Sequence, residues 1–334
     1  MRTGDGNALG ARAWDDLVLA QPDANLLQSW SWGELQSRFG WEVRRVTFED
    51  GRHGVCSLQR TRTIVPGGWI HYGPRGPLVP KDSRTEAVRA LLQRAQSEHG
   101  VALRLEPEAP AGEAWEAVLR ENGFSIAEPV QPAATLILDL RQDPQTLRAN
   151  FKPKTRYNLA LAERKGVTVE ASNNTDTFAR LSQETASRQG ISLPGPAYYR
   201  ALLDCFGDRA RLYLARHEGK TLAGIIVVRF GSTATYLFGG SAEEGRELMP
   251  NYLLHWVAIT QMREQGCTRY DWWGIPEQPT PDHPWFGLYR FKTGFGGETV
   301  RYAGLFQRVL RPARWRWEQG ANRLKARLRR ARVG

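Results

Sequence analysis

Cysteine is scarce in this sequence. Cys56, Cys205 and Cys267 are far apart, odd in number and form no C-x-x-C pair. That argues against a disulfide framework or structural zinc site and for a reducing compartment. Long apolar runs are missing too. The best, Leu222 to Phe230, has strand length and contains Arg229, whereas a spanning helix needs about 20 apolar residues. Met1 to Gly10 is polar and lacks the apolar segment of a signal peptide. A cytoplasmic protein is expected. The six histidines show no H-E-x-x-H and no close pairing, so no metal is expected. Gly219-Lys220-Thr221 ends like a phosphate loop, but Leu214 stands where its first glycine belongs. Gly294-Phe295-Gly296-Gly297 is not a dinucleotide fingerprint. No G-x-S-x-G elbow occurs, which leaves covalent nucleophilic catalysis unsupported. No cofactor is expected.

What is present is an ordinary globular composition, 41% apolar and 24% charged in 334 residues. At roughly 150 residues per domain this suggests two domains. The net charge of +11 is uneven. Residues 311–334 hold nine Lys or Arg against Glu318 alone, a local +8, which leaves +3 for the rest. A second basic run, at 148–165, contains Arg148, Lys152, Lys154, Arg156, Arg164 and Lys165 against Glu163. Such runs are commonly solvated helix faces. Two in one basic chain point toward a polyanion or an acidic membrane surface.

Along the chain, Leu26 to Phe39 reads as a helix and Trp41 to Phe48 as a strand with alternating apolar residues. Asp50-Gly51 is a hairpin signal, with Gly54 to Arg62 as the return strand. A helix at Thr85 to His99, capped by Gly100, leads to a strand at Val101 to Leu105 and a helix at Glu113 to Glu121. The second half repeats this order. Ala210 to Arg216, the turn Glu218-Gly219, Leu222 to Phe230 and Thr233 to Gly239 precede a helix at Asn251 to Gln265. Gly266 caps it, and a strand follows at Thr268 to Trp272. The segments SEHGVALRLE and REQGCTRYDW place their glycines 166 residues apart, and the hairpin turns lie 168 apart. Nearly equal offsets suggest an internal duplication. Each half is an α+β unit with a mainly antiparallel sheet, not the alternating βαβ of a dinucleotide fold. A first domain at 1–146, ending after a strand at Thr135 to Leu140, a second at 147–304 and a basic C-terminal helix at 305–334 packing on the first are expected.

Four segments are unusual in composition: QSWSWGEL (28–35), YGPRGP (72–77), KTRYN (154–158) running on to Gly166, and GLYRFKTGFGG (287–297). In this order they resemble the Fem (FemABX) family of peptidoglycan bridge-forming aminoacyltransferases, from about Leu26 to Tyr302. No single motif is diagnostic. The resemblance implies two tandem acetyltransferase-like (GNAT-like) domains. It also implies transfer of an amino acid from aminoacyl-tRNA to a side-chain amine of a peptidoglycan precursor, either lipid II or a UDP-linked muropeptide. Nothing has the length of the helical hairpin that some members insert, so the compact, monomeric type is the one resembled.

The chemistry needs an amine that loses protons, a stabilised oxyanion and a departing ribose oxygen. The resemblance assigns the positive charge to Lys292, next to Phe291. A lysine placed at a helix C-terminus before Gly294 is the plainer reading. Glu106 matches a family acid that accepts a proton or orients the amine, against a surface carboxylate at a strand end. Tyr198 matches a tyrosine that contacts the precursor, against a core tyrosine in a helix starting near Pro196. Arg75 serves either the YGPRGP turn or the precursor. Three positions depart from the compact type that uses the nucleotide precursor. Gln36 replaces a lysine, Pro194 an arginine and Phe238 a phosphate-contacting tyrosine, with Arg38 available in place of the first. These losses favour lipid II over the soluble precursor. Trp317, Ala321, Leu324, Leu328 and Ala331 fall at helical spacing among arginines. Such a helix suits an anionic membrane surface, tRNA phosphates, or plain packing by its apolar stripe with solvated arginines. Lys152, Lys154, Arg156, Arg323 and Arg327 are the expected contacts for tRNA or for a membrane surface, the latter placing the protein peripherally on the inner face of the plasma membrane. Two other readings stay open: an acyl-CoA-dependent transferase on a related tandem fold, and a non-catalytic RNA- or membrane-binding protein. The acyl-CoA reading calls for a [QR]-x-x-G-x-[GA] turn, approached here by Arg216 to Thr221.

Overall fold

The computed structural model describes residues 1–49, 52–111 and 115–331, with side chains of the last helix as far as Lys325. The turn pair Asp50-Gly51, the expected helix start Glu113 and the side chains of Arg327, Leu328 and Ala331 lie outside the described residues.

The chain forms two compact units, Met1–Gln131 with Tyr302–Gly334, and Pro132–Arg301. The first contains, in order, β1 (Thr3–Asp5), α1 (Ala11–Leu19), α2 (Trp30–Arg38), β2 (Glu42–Phe48), β3 (Val55–Arg62), β4 (Trp69–Pro74), α3 (Arg84–Ser97), β5 (Gly100–Glu106), α4 (Trp115–Glu121) and β6 (Ser125–Ala127). The second contains β7 (Ala134–Asp139), α5 (Pro144–Asn150), α6 (Pro153–Arg164), β8 (Thr168–Ser172), α7 (Thr175–Gln189), α8 (Pro196–Phe206), β9 (Ala210–His217), β10 (Lys220–Phe230), β11 (Thr233–Ser241), α9 (Pro250–Glu264), β12 (Arg269–Ile275), α10 (Phe286–Lys292) and β13 (Glu298–Arg301). The chain then supplies β14 (Leu305–Val309) and α11 (Pro312–Ala331) to the first unit.

Each unit has a seven-stranded sheet, ordered β1-β2-β3-β4-β5-β14-β6 and β8-β9-β10-β11-β12-β7-β13. Neighbours pair antiparallel except β4 with β5 and β11 with β12. Those parallel pairs require a crossover, which α3 and α9 provide. The strand next to the edge in each sheet comes from the other half of the sequence, because β14 pairs β5 and β7 pairs β12. This exchange corrects the expected boundary. The strand expected to close the first domain is β7, which lies between β12 and β13 in the second, so the changeover precedes it. Both exchanged strands carry core residues: Leu136 and Leu138 join Tyr270, Trp272 and Phe295, while Phe306 joins Leu91, Leu103 and Trp115.

Local rules account for most elements. Glu218 and Gly219 both take positive φ, +47° and +78°, in the β9–β10 turn, the type I′ pattern of tight hairpins. Gly266, at φ +86°, follows α9 as expected. Gly100 does not cap α3: His99 takes the left-handed conformation at φ +59°, and Gly100 starts β5. Its glycine is required by crowding, since a Cβ there would lie 2.5 Å from the Ala95 carbonyl oxygen. The long N-terminal helix expected from Leu26 is divided: residues Leu26–Gln28 form a 3₁₀ turn, and Ser29 caps α2 by accepting from the Trp32 amide.

Candidate functional site

In the second unit, Lys292 ends the short helix α10. Only 3% of it is exposed. Its ammonium does not face the carbonyl end of its own helix, as the plainer reading expected. Nζ donates instead to the Trp272 and Gly274 carbonyl oxygens of β12, at 2.7 and 2.8 Å. Those carbonyls converge because β12 is irregular. Its pairing with β7 shifts between Asp271 and Gly274, and Trp273 sits at φ +56°, a costly conformation for a bulky residue. Asp271 braces the bulge by accepting from the Trp273 amide at 2.8 Å and from the Thr135 hydroxyl. Burial pulls the Lys292 pKa down to about 7, and the Asp271 carboxylate opposes that shift. An amine so placed exchanges between charged and neutral forms near neutral pH.

Aromatic rings surround it. The Tyr236 ring centroid lies 5.3 Å from Nζ. Phe291 packs edge-on to Tyr252, centroids 5.0 Å apart, and His255 lies 4.5 Å from both Trp272 and Tyr236. Burial, reinforced by Lys292, holds the His255 pKa well below its ordinary value, so its ring is neutral.

The basic run reaches this place. The Lys152 amide donates to the Gly294 carbonyl at 2.8 Å, and Lys152 Nζ lies 3.5 Å from the Thr293 hydroxyl. Thr155 packs so tightly on Gly294 that no Cβ fits. Lys152, against the turn that follows Lys292, and Lys154, two residues further on, are both exposed. Arg156 is also exposed, yet its guanidinium is held by the Ala149 and Phe151 carbonyls, closing the end of α5.

Tyr198 and Phe238 are brought together, half-buried and edge-on, with centroids 5.9 Å apart. The core tyrosine of α8 is its neighbour Tyr199, fully buried and bonded to the Ser182 hydroxyl at 2.7 Å.

In the first unit, Glu106 is no surface carboxylate, being 1% exposed at the end of β5. It accepts from the Tyr72 hydroxyl at 2.6 Å and from the Gln131 amide at 3.1 and 3.2 Å. Gln131 Nε2 in turn donates to the Tyr72 oxygen at 3.1 Å. Burial raises the Glu106 pKa against the lowering effect of Tyr72 and Arg75. Arg75 is buried and makes structural contacts: its Nε lies 3.2 Å from Glu108, and its guanidinium stacks 3.7 Å over Tyr302. Gln28 brackets the same turn, donating to the Pro74 carbonyl at 2.6 Å and accepting from the Ser57 amide at 2.6 Å. The tryptophan-rich segment is likewise structural, because Arg45 stacks 3.5 Å over Trp30 and bonds Glu34. Gln36 and Arg38, half-buried and exposed, lie in the last turn of α2, and Arg323 is exposed on α11.

The FemAB family profile matches residues 120–220 and 216–323, more than half of the sequence. The chain belongs to the FemAB family. A lipid II:glycine glycyltransferase of Staphylococcus saprophyticus is 24% identical over 90% of this chain and 91% of its own. Among solved structures, that of FemX superposes with a TM-score of 0.84, at 23% identity, covering 95% of this chain and 99% of that one. A tandem GNAT protein from the clavulanic acid pathway superposes at 0.55 with 15% identity, over 92% and 98%. The fold of this FemAB protein is therefore the mixed α+β, tandem GNAT-like architecture expected from its motifs.

Asp271, Trp273, Thr135, Tyr72 and Gln131 were not legible as site residues. The one local signal was the glycine closing Asp271-Trp272-Trp273-Gly274 at a strand end, a common mark of a bulge.

Proposed function

We propose that this protein transfers an amino acid from aminoacyl-tRNA to the side-chain amine of a peptidoglycan stem peptide, with lipid II preferred over the UDP-linked precursor. The observation that carries the proposal is Lys292, buried and poised near neutral pH, with the exposed cation Lys152 against the turn that follows it. The acceptor amine attacks the ester carbonyl, the carbonyl oxygen becomes an oxyanion, and the ribose oxygen leaves as the intermediate collapses. Protonated Lys292 supplies charge to that oxyanion. Phe291 holds the lysine's helix in the aromatic cluster. Lys152 and Lys154 engage RNA phosphates. Glu106, buried in the first unit with its pKa raised, is proposed separately as a carboxyl that accepts a proton or orients the amine. The staphylococcal relatives, lipid II:glycine glycyltransferases, support both transfer and a lipid-linked acceptor.

Phe238 and Tyr198 form an apolar, edge-on pair with a single hydroxyl, and Gln36 and Pro194 are uncharged. Charged hydrogen bonds contribute about 1.5–3 kcal/mol each, so losing two weakens a soluble diphosphate by roughly a hundredfold. A membrane concentrates the lipid-linked form. The acyl-CoA reading finds little support: Arg216 to Thr221 crosses the β9–β10 hairpin, so no helix N-terminus follows to face a pyrophosphate. We assign the protein to the cytoplasm as a monomer, peripheral to the membrane. No helix among the described residues is long and apolar enough to cross one.

The test presents mixed charged tRNAs with lipid II and the UDP-linked precursor in separate reactions. Transfer to lipid II with the higher specificity constant is expected. An equal or higher constant for the nucleotide precursor overturns the preference, and transfer from acyl-CoA in place of charged tRNA overturns the reaction.

A further inference from the structure

A surface helix ordinarily buries its apolar stripe and exposes its charges. The described part of α11, Pro312 to Lys325, departs from this. Among its described side chains the one buried charged residue is Glu318, 3% exposed and the sole acid between 311 and 334. The Glu318 carboxylate accepts from the Ile64 and Val65 amides at 3.0 and 3.1 Å, in the loop joining β3 to β4. Arg314 tightens the same clasp by donating to the Pro66 carbonyl at 3.1 Å. The only negative charge of the segment is thus turned inward and satisfied by backbone donors.

Cationic and apolar side chains remain outside, with the neutral Gln319 and Asn322. Arg316, Arg323 and Lys325 are exposed. Trp317 is 72% exposed and Leu324 60%. Seven residues apart, they share one face of the helix. Ile64, whose own amide is gripped by Glu318, adds an aliphatic side chain that is 44% exposed at the loop tip.

We propose that α11 and the β3–β4 loop tip form a docking surface for an anionic lipid bilayer. The proposal rests on the reading that the acceptor is lipid-linked and adds which residues meet the bilayer. An interfacial tryptophan sits at headgroup level, Leu324 and Ile64 enter the acyl boundary, and the arginines and Lys325 meet acidic headgroups. Charge complementarity alone would suit RNA equally. Three uncovered apolar side chains beside the cations suit a bilayer and have no use against phosphates.

The test is co-flotation of the full chain with phosphatidylglycerol/phosphatidylcholine vesicles and with pure phosphatidylcholine vesicles, neither containing lipid II or tRNA. Binding to the anionic vesicles is expected, falling steeply with salt. Trp317→Ser with Leu324→Ser should weaken it at least tenfold without lowering Tm. Arg316→Glu with Lys325→Glu should remove its salt dependence. Equal binding to both vesicle types, or wild-type binding by the serine double variant, overturns the proposal. So does a charge-reversed variant that loses tRNA but keeps vesicles, which assigns the helix to RNA. Transfer from charged tRNA to a soluble stem-peptide acceptor is measured in parallel. Vesicle binding without transfer removes the proposed reaction and leaves the docking surface standing; transfer without vesicle binding does the reverse.

Discussion

The two sheets match strand for strand, yet they bury opposite chemistries. At the end of β5 the first unit buries an acid, Glu106; at the matching end of β12 the second holds a base, Lys292. The acid is served by a side-chain hydroxyl and a backbone amide. The base is served by two carbonyls that only a bulge can aim together. Strand β5 pairs with β14 without a register break at Leu105 and Phe306. A duplicated frame thus fixes where a buried ionisable group sits, while local backbone geometry decides which donors or acceptors serve it. Both burials favour the neutral form, from opposite sides of the pH scale.

The sharpest way to break the comparison is Lys292→Met. Loss of charge at the oxyanion should cost about 2.7–4 kcal/mol in turnover, a hundredfold or more, with the circular dichroism spectrum unchanged. Turnover within a few-fold of wild type would rule out the assigned role. Because the folded pKa lies below the unfolded one, the lysine's contribution to stability is present above the unfolded value and lost as pH falls through about 7. Urea denaturation between pH 7 and 10 should show stability rising with pH in wild type and a flatter course in the methionine variant.

Glu106 should behave as the mirror image. Its folded pKa is raised, so its contribution is complete below the unfolded value and disappears as pH rises through the folded one. Glu106→Ala takes the acceptor away from the Tyr72 hydroxyl proton and the Gln131 amide, which should cost about 1–3 kcal/mol of stability. Glu106→Gln keeps an acceptor for Tyr72, so it should fold better and lose mainly the acid limb of the rate profile. Identical pH–rate profiles for Glu106→Gln and wild type would take the proton-accepting role away.

Effects on RNA should be smaller and salt-dependent. In Lys152→Glu with Lys154→Glu, tRNA affinity should fall, and the slope of log affinity against log salt should decrease by roughly 0.7–0.9 per lost phosphate. An unchanged slope in filter binding would exclude both lysines. The mildest change concerns the bulge itself. Glycine adopts positive φ freely, whereas a β-branched residue does not, so Trp273→Val should be less stable than Trp273→Gly by about 1–3 kcal/mol. Equal melting temperatures would show that the bulge stores no strain.

Lys292 and Glu106 were singled out from the order of the segments around them, but their burial was not legible there. No spacing rule says that a strand-end glutamate will be 1% exposed. The YGPRGP segment read as a rigid turn, and its first residues proved to be the end of β4, pairing Pro74 with Glu106. Arg75 shows the same limit, since a lone arginine in a turn looks alike whether it meets a ligand or stacks on Tyr302 from the far end of the chain.

The sequence by itself determined the repeated helix–hairpin–helix–strand order, because apolar period, turn pairs and capping glycines are local and act within a few residues. It also determined the basic runs and the lysine before the glycine turn. Only the tertiary structure decided that β7 and β14 change places between the sheets, since a strand's partner is set by which edge is open, not by its own pattern. The tertiary structure likewise decided that Trp272, Trp273 and Gly274 bulge to hold Lys292, and that Glu318 turns inward while Trp317 turns out. Those outcomes depend on backbone groups brought together over long separations, from 18 residues between Gly274 and Lys292 to 254 between Ile64 and Glu318, and no window along the chain contains both partners.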